Sequence, residues 1–288
     1  MLLDAADLRG QIGKRLQNTH KGHYGYVSIL GGCSAYSGAV KLANLSCAAL
    51  RAGCGVAQLI VPDSLEGAVS PYLLESTLGL MPCEDGSMVY DAAALDRCLS
   101  GQSALAVGMG WGRSEEYSHI LSHILKHYDI PVVIDADGLN TLAQMDLQIL
   151  ERSACRVILT PHAAEMARLC KCAVDDVLRD PVGISQRLAR ERGVCVLLKG
   201  PCTVVTDGTS TYLVDRGCAG MATAGSGDVL SGVLVGLLGS HEPTPMTVAM
   251  GAYLAGRAGE LAEQRVNPVS MLASDTVSML PQAISELL

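Results

Sequence analysis

Eight short apolar runs recur along this chain, and most are continuous rather than alternating; they fall at residues 26–30, 56–61, 104–107, 132–135, 156–160, 194–199, 203–206 and 211–214. A strand with one face in water alternates apolar and polar side chains. An unbroken apolar strand needs cover on both faces, as in a parallel sheet between helices. Helical patterns fill the intervals, at residues 38–52, 115–128, 139–151, 164–170, 181–192, 228–238 and 245–263. The alternation predicts an α/β fold with a mostly parallel central sheet flanked by helices on both faces. Asp207-Gly208, between two short β runs, predicts one hairpin that departs from the parallel pattern. No repeat, low-complexity stretch or Pro/Ser-rich linker divides residues 1–288, so a single domain is expected.

Composition narrows the class. A hydrophobic fraction of 49% is far too high for a disordered chain. No apolar run approaches the roughly 18 residues that a membrane-spanning helix requires. With 21 Lys and Arg against 29 Asp and Glu, and no basic run, neither a nucleic-acid partner nor a membrane partner is expected. The first ten residues lack a cationic-then-apolar signal, so a cytoplasmic location is expected, with the 11 cysteines acting mainly as small buried hydrophobes. Cys170 and Cys172 lack a second pair for zinc, and His119 and His123 fit the flank of an amphipathic helix better than a metal pair.

In an open α/β sheet, ligands sit beyond the carboxyl ends of the strands. Four glycine-bearing loops fall there. Gly31 to Ala39 enters a helix whose amino end favours an anion, but without the Lys-Ser/Thr of a Walker loop. Gly108-Met109-Gly110-Trp111-Gly112 follows the third run and is open to a dinucleotide-fold reading or a tight-turn reading. Asp135 and Asp137 end another run; they suit a metal or a phosphate-bound water, or Asp137 simply caps the next helix. Gly217 to Asp228 is the strongest signal. Gly225, Ser226 and Gly227 would aim successive amides at one point ahead of a helix, forming an anion hole. Asp228 beside such a hole suits a base that takes a proton from a hydroxyl attacking phosphorus. Glu165, after Thr160-Pro161-His162, suits either a Mg²⁺–water complex or the helix dipole, and Lys199 with its following turn suits a nucleotide phosphate or ribose, or is simply a solvated lysine at a strand end.

Together the segments KGHYGYVSILGG, YSGAVKLANLSCAALRAGCG, VGMGWG, VIDADGLN, LTPHAAEMARL, LLKGPCTVV and GMATAGSGDVLSGVLVGLL resemble the ADP- or ATP-dependent NAD(P)H-hydrate dehydratases of the ribokinase-like superfamily. They stand in that family's order over most of residues 21–239, with LASD at 272–275 fitting its C-terminal end.

The resemblance implies a lyase of nicotinamide-nucleotide repair. It would restore NADH or NADPH from the S-form hydrate by phosphorylating the ring hydroxyl and eliminating phosphate. It implies Asp228 as base and Gly225, Ser226 and Gly227 as the holder of the phosphoryl group, with Gly227 also touching nucleotide. Ala39, Gly110 and His162 would line the hydrate site. Lys199, Gly200, Pro201, Cys202 and Thr203 would bind the adenosine phosphate, and Glu165, Asp135 and Asn140 would organise Mg²⁺. It further implies a homotetramer, working with a separate epimerase rather than a fused one. The chain departs from the family pattern at His23, Ala163-Ala164, Cys218-Ala219, Ala224 and Ser226. The nearest alternative is a ribokinase-like kinase for a small alcohol such as a vitamin precursor. With no Phe, adenine would rest on aliphatic side chains and backbone. Trp111, in a proposed substrate loop, is expected to report hydrate binding by fluorescence.

Overall fold

The computed structural model describes residues 1–46 and 49–288. Nine strands form one sheet: β1 (Tyr26–Leu30), β2 (Val56–Pro62), β3 (Thr77–Met81), β6 (Ala104–Val107), β7 (Pro131–Ile134), β8 (Arg156–Leu159), β9 (Cys195–Leu198), β10 (Thr203–Thr206) and β11 (Thr211–Val214). Two further strands, β4 (Cys83–Glu84) and β5 (Ser87–Met88), make a small separate hairpin. The sheet order is β11-β10-β9-β8-β7-β6-β1-β2-β3. Pairing is parallel from β3 through β9 and antiparallel at β9–β10 and β10–β11, so the hairpin expected at Asp207-Gly208 closes that edge. The amino-terminal segment covers the edge: Leu3 N donates to Leu213 O and Leu213 N to Met1 O.

The continuous apolar runs resolve into two layers because successive strand residues point to opposite faces. Val27, Ile29, Ala104, Ala106, Val133 and Ile158 pack into one core with helices Ser226–Leu238, Pro245–Val266 and Ala273–Ser285. Leu30, Leu105, Val107, Val132, Ile134, Val157 and Leu159 pack into the other with helices Ala92–Leu99, Glu116–His127, Ala163–Cys170 and Pro181–Arg192. Each fully buried Leu, Ile or Val contributes about 1.5–3 kcal/mol over exposure.

Three elements differ from the sequence expectation. Strand β3 has only five residues and carries Gly79, which weakens its pattern; its place is set by pairing with β2. The helix expected at 139–151 is broken into Asp137–Leu142 and Gln148–Glu151, with Asp146 accepting from Gln148 N at the restart. The helix expected at 38–52 includes residues 47 and 48, which lie outside the described residues; Ser37–Ser46 and Ala49–Ala52 are helical. Among the described residues no helix is long and apolar enough to cross a membrane.

The strands from β3 to β9 run the same way, so the loops after β1, β6, β7, β8 and β9 gather at one sheet end. Gly108 sits where two of them touch. Its φ is +109°, and a Cβ there would lie 2.2 Å from Asp135 O and 2.5 Å from Gly138 N. Gly108→Ala is expected to lower stability by about 2–4 kcal/mol, read as a fall in Tm, because neither backbone can yield without moving the loop.

Candidate active site

The chain leaves β1 toward β2 and β3 on one side of the sheet, and later leaves β6 toward β7 and the far edge on the other. Neighbouring loops therefore diverge at the β1/β6 boundary and open the crevice where α/β sheets bind ligands. Ala39 and Gly110 meet here. Gly110 has φ +64°, and a Cβ on it would sit 3.0 Å from that of Ala39 and 2.7 Å from Tyr36 O. Gly32 N donates to Met109 O and ties the two loops together. Trp111 departs from expectation. Its ring is fully buried in the core and stacks on Tyr117 with centroids 4.8 Å apart, so it reports the core rather than the crevice.

The next loop turns sharply. Gly138 N donates to Asp135 O, closing a four-residue turn in which Ala136 has φ +49° and ψ −120°. That is the glycine position of a type II′ turn, and an L-residue there is strained. The turn splays its two carboxylates. Asp137 accepts from Gly112 N at 2.8 Å and from Asn140 Nδ2 at 3.3 Å, and makes no cap to its own helix. Asp135, only 1% exposed, points the other way. Its Oδ1 accepts from Lys199 Nζ at 2.7 Å and its Oδ2 from the fully buried Ser231 Oγ at 2.7 Å.

His162 and Glu165 cap one helix reciprocally. Nδ1 of His162 accepts from the amides of Ala164 and Glu165, while Oε2 of Glu165 accepts from His162 N at 2.8 Å. Ala163-Ala164 thus forms the first helical turn without a Pro-Gly sequence. The imidazole remains 52% exposed. Burial and the Lys199 ammonium hold it below the ordinary histidine value, while burial pushes the Glu165 carboxyl up. Strand β8, which ends at this cap, lies two places from β6 in the sheet, about 10 Å away.

Over these loops stands the helix Ser226–Leu238. Gly225, at φ +93°, turns the chain into it. A helix leaves the amides of its first turn without helical acceptors, but Ser226 N already donates to Thr223 O at 3.5 Å, so the three amides expected to form an anion hole are not all free. Ser226 Oγ is buried with no hydrogen-bond partner among the described residues. A Cβ on Gly227 would lie 3.6 Å from Lys199 Nζ and 3.7 Å from Asp135 Oδ2, so the hole looks directly onto that ion pair. Burial, then the charge of Asp135, pushes the Asp228 carboxyl up to about 7, with Lys199 opposing. Burial works against the charge of Lys199, but Asp135 and Glu165 outweigh it and raise the ammonium's pKa.

A cavity of about 590 Å³ opens beside the hole. Lys199, Gly200, Pro201 and Thr203 form one wall, Ser226, Gly227 and Leu230 another, and Ala252, Ala255 and Gly256 lie at its base. No aromatic ring lines it; besides aliphatic groups and backbone its lining includes Lys199, Arg216, Cys218 and Met221. Cys202, expected with its neighbours, is exposed and is not part of the wall. A second cavity of about 890 Å³, lined by Gly112, Arg113, Asp137, Asn140 and Arg168, adjoins the crevice.

Asp135, Glu165 and Asn140 do not form a direct ligand set for Mg²⁺. Both oxygens of Asp135 are engaged, Glu165 is turned into its cap, and Asn140 Oδ1 accepts from Arg168 in the second cavity. Among the described residues no group of three or more His, Cys, Asp or Glu is arranged to hold a metal. Sequence reasoning missed Ser231, whose signal is the one hydroxyl within the apolar run 229–238, and Arg168, which stands inside the LTPHAAEMARL segment but was given no role.

Ala136→Gly is expected to raise thermal stability by about 1 kcal/mol by relieving the turn, while turnover falls because Asp135 and Asp137 lose a rigid link. Unfolding curves and steady-state rates on the same preparation measure both.

The NAD(P)H-hydrate dehydratase family model matches residues 27–282. The chain is 37% identical to the bifunctional NAD(P)H-hydrate repair enzyme of Moorella thermoacetica over 99% of its length, but spans only 54% of that relative. It is 32% identical to the ADP-dependent (S)-NAD(P)H-hydrate dehydratase of Cenarchaeum symbiosum, covering 96% of this chain and 94% of that one. Among solved structures, the ADP/ATP-dependent NAD(P)H-hydrate dehydratase of Bacillus subtilis, co-crystallised with ATP/Mg²⁺, superimposes with a TM-score of 0.84 at 25% identity, covering 100% of this chain and 98% of that one. A ribokinase-like protein of Enterococcus faecalis gives 0.84 at 23% identity, covering 99% and 95%, and shares the fold. With the crevice loops and the Asp228 helix all inside the matched span, the chain belongs to the NAD(P)H-hydrate dehydratase family.

Proposed function

We propose that this protein dehydrates the S-form of NADH or NADPH hydrate at the expense of ADP, returning the reduced cofactor. The observation that carries this is Asp228: a half-buried carboxyl in the first turn of a helix, next to Gly227 at the edge of a nucleotide-sized cavity. A carboxylate there repels bound phosphate, so the position makes sense for a group with a proton to accept.

ADP occupies the 590 Å³ cavity, with adenosine against Leu230 and Ala255 and its terminal phosphate at Gly225–Gly227 facing Lys199. The hydrate's ring enters from Ala39, Gly110 and His162, and the rest of the dinucleotide extends into the 890 Å³ cavity toward Arg168. Asp228 takes the proton of the ring hydroxyl as its oxygen attacks the terminal phosphorus, and AMP departs. The phosphoester then eliminates: the ring nitrogen's lone pair expels phosphate, which carries away the former hydroxyl oxygen, and the ring iminium so formed loses a proton from the neighbouring carbon to restore the ring double bond. The gain is in the leaving group, since phosphate departs far more readily than hydroxide. The protein's share is alignment and charge neutralisation. Mg²⁺ is assigned no ligand set in this chain; Lys199, with Arg216 in the same cavity lining, supplies the site's own positive charge. A cytoplasmic homotetramer of single-domain chains, supplied by an epimerase that converts the other hydrate epimer, completes the proposal. The bifunctional build of the M. thermoacetica relative supports that pairing.

Mixing the protein with hydrated NADH and ADP is expected to regenerate reduced-nicotinamide absorbance and release phosphate; a stable phosphoester instead would establish the small-alcohol kinase alternative. Asp228→Asn is expected to lose about 10³-fold or more in turnover while keeping its affinity for ADP. The wild-type kcat should rise with pH through about 7, as Asp228 ionises. Stability runs the other way. The folded-state value of Asp228 stands above its ordinary 3.8, so the folded state holds the proton more tightly and loses stability as pH rises between the two values. At pH 8 the Asn variant should therefore be more stable than wild type, on the order of 2 kcal/mol by denaturant unfolding.

A further inference from the structure

We propose that Ser231 is a positioning residue for this site, its hydroxyl acting through Asp135 to fix the Lys199 ammonium against the Gly225–Asp228 anion hole. The proposal rests on the functional reading above for the identity of the anion, a nucleotide phosphate.

Ser231 lies in a helix whose buried side is otherwise apolar, with Val229, Val233, Leu234, Val235 and Leu237 around it in sequence. It is completely buried, where a hydroxyl is unfavourable unless it has a partner. Its partner stands 96 residues earlier in the chain, at the end of β7, and is itself buried. The carboxylate of Asp135 has one oxygen on Ser231 and the other on Lys199, each at 2.7 Å. With both oxygens held, the carboxylate plane cannot rotate, and the ammonium position follows from it.

The alternative location for Lys199 is visible. Glu165 Oε2 lies 3.9 Å from Nζ, and Glu165 also attracts the ammonium. Freed on one side, Asp135 could turn and let Lys199 shift toward Glu165, away from Gly227. Because Ser231 is three residues beyond Asp228, one helix carries the hole, the base and the anchor together. The position of the cation is thereby referenced to the helix that binds the phosphate, not only to the sheet.

Two readouts test this in the full chain: calorimetric titration with ADP, which needs no turnover, and steady-state kinetics with hydrated NADH. Ser231→Ala fills no new space and is expected to fold with a Tm near wild type. It should weaken ADP binding and lower kcat by about tenfold each, with the KM for hydrate unchanged. In an Asp135→Asn background the same Ser231→Ala change should alter ADP affinity less than twofold, since the carboxylate through which it acts is gone. Unaltered ADP affinity in Ser231→Ala overturns the proposal. An equal loss in both backgrounds also overturns it, by showing that Ser231 acts through packing. A protein that binds ADP with this dependence yet restores no cofactor would reject the functional reading and keep the anchor.

Discussion

A single ion pair, Lys199 with Asp135, joins the parts of this protein that have to work together. The lysine ends β9, the aspartate ends β7, and Ser231 links the aspartate to the helix above them. Glu165 and Asp228 also bear on the ammonium, so one cation faces three carboxylates at the start of the helix Ser226–Leu238. Such a cluster is costly to bury unless an anion-binding or proton-transfer task goes with it. The surroundings absorb the cost through bonds that use every oxygen of Asp135 and turn Glu165 into a helix cap.

The sheet makes this possible by being stiff where the loops are not regular. Buried strands with side chains in two cores fix the strand ends, and the loop after β7 carries backbone strain at Ala136, one of four non-glycine residues with positive φ among the described residues, beside close glycine contacts between adjacent loops. A residue in a backbone region that it rarely adopts persists only where its neighbours over-determine it. Here Gly108 backs the turn from one side while Asp135 and Asp137 are held on the other two.

Much of this was legible in the residues. The unbroken apolar runs at 104–107 and 132–135 demanded cover on both faces, and Gly225-Ser226-Gly227-Asp228 marked the start of the apolar helix that faces Lys199 and Asp135. What escaped has physical reasons. Strand β3 is specified by pairing with β2 rather than by its own five residues. Trp111 stands in a glycine loop, yet its ring turns into the core, because side-chain direction follows tertiary packing. Asp137 sits where a helix cap would be, but the strained turn aims it at Gly112. Asp135 and Asn140 suggested a shared metal site until the turn sent one toward Lys199 and the other toward Arg168. None of these directions is encoded within a few residues; each depends on a contact across the sheet end.

The central claim is that the ring hydroxyl leaves as part of phosphate after Asp228 has helped it attack the nucleotide. Hydrated NADH carrying ¹⁸O in that hydroxyl, incubated with the protein and unlabelled ADP, tests it directly. Mass analysis is predicted to find one labelled oxygen in each phosphate released and none in water. Label appearing in water would mean direct loss of hydroxide and would contradict the account.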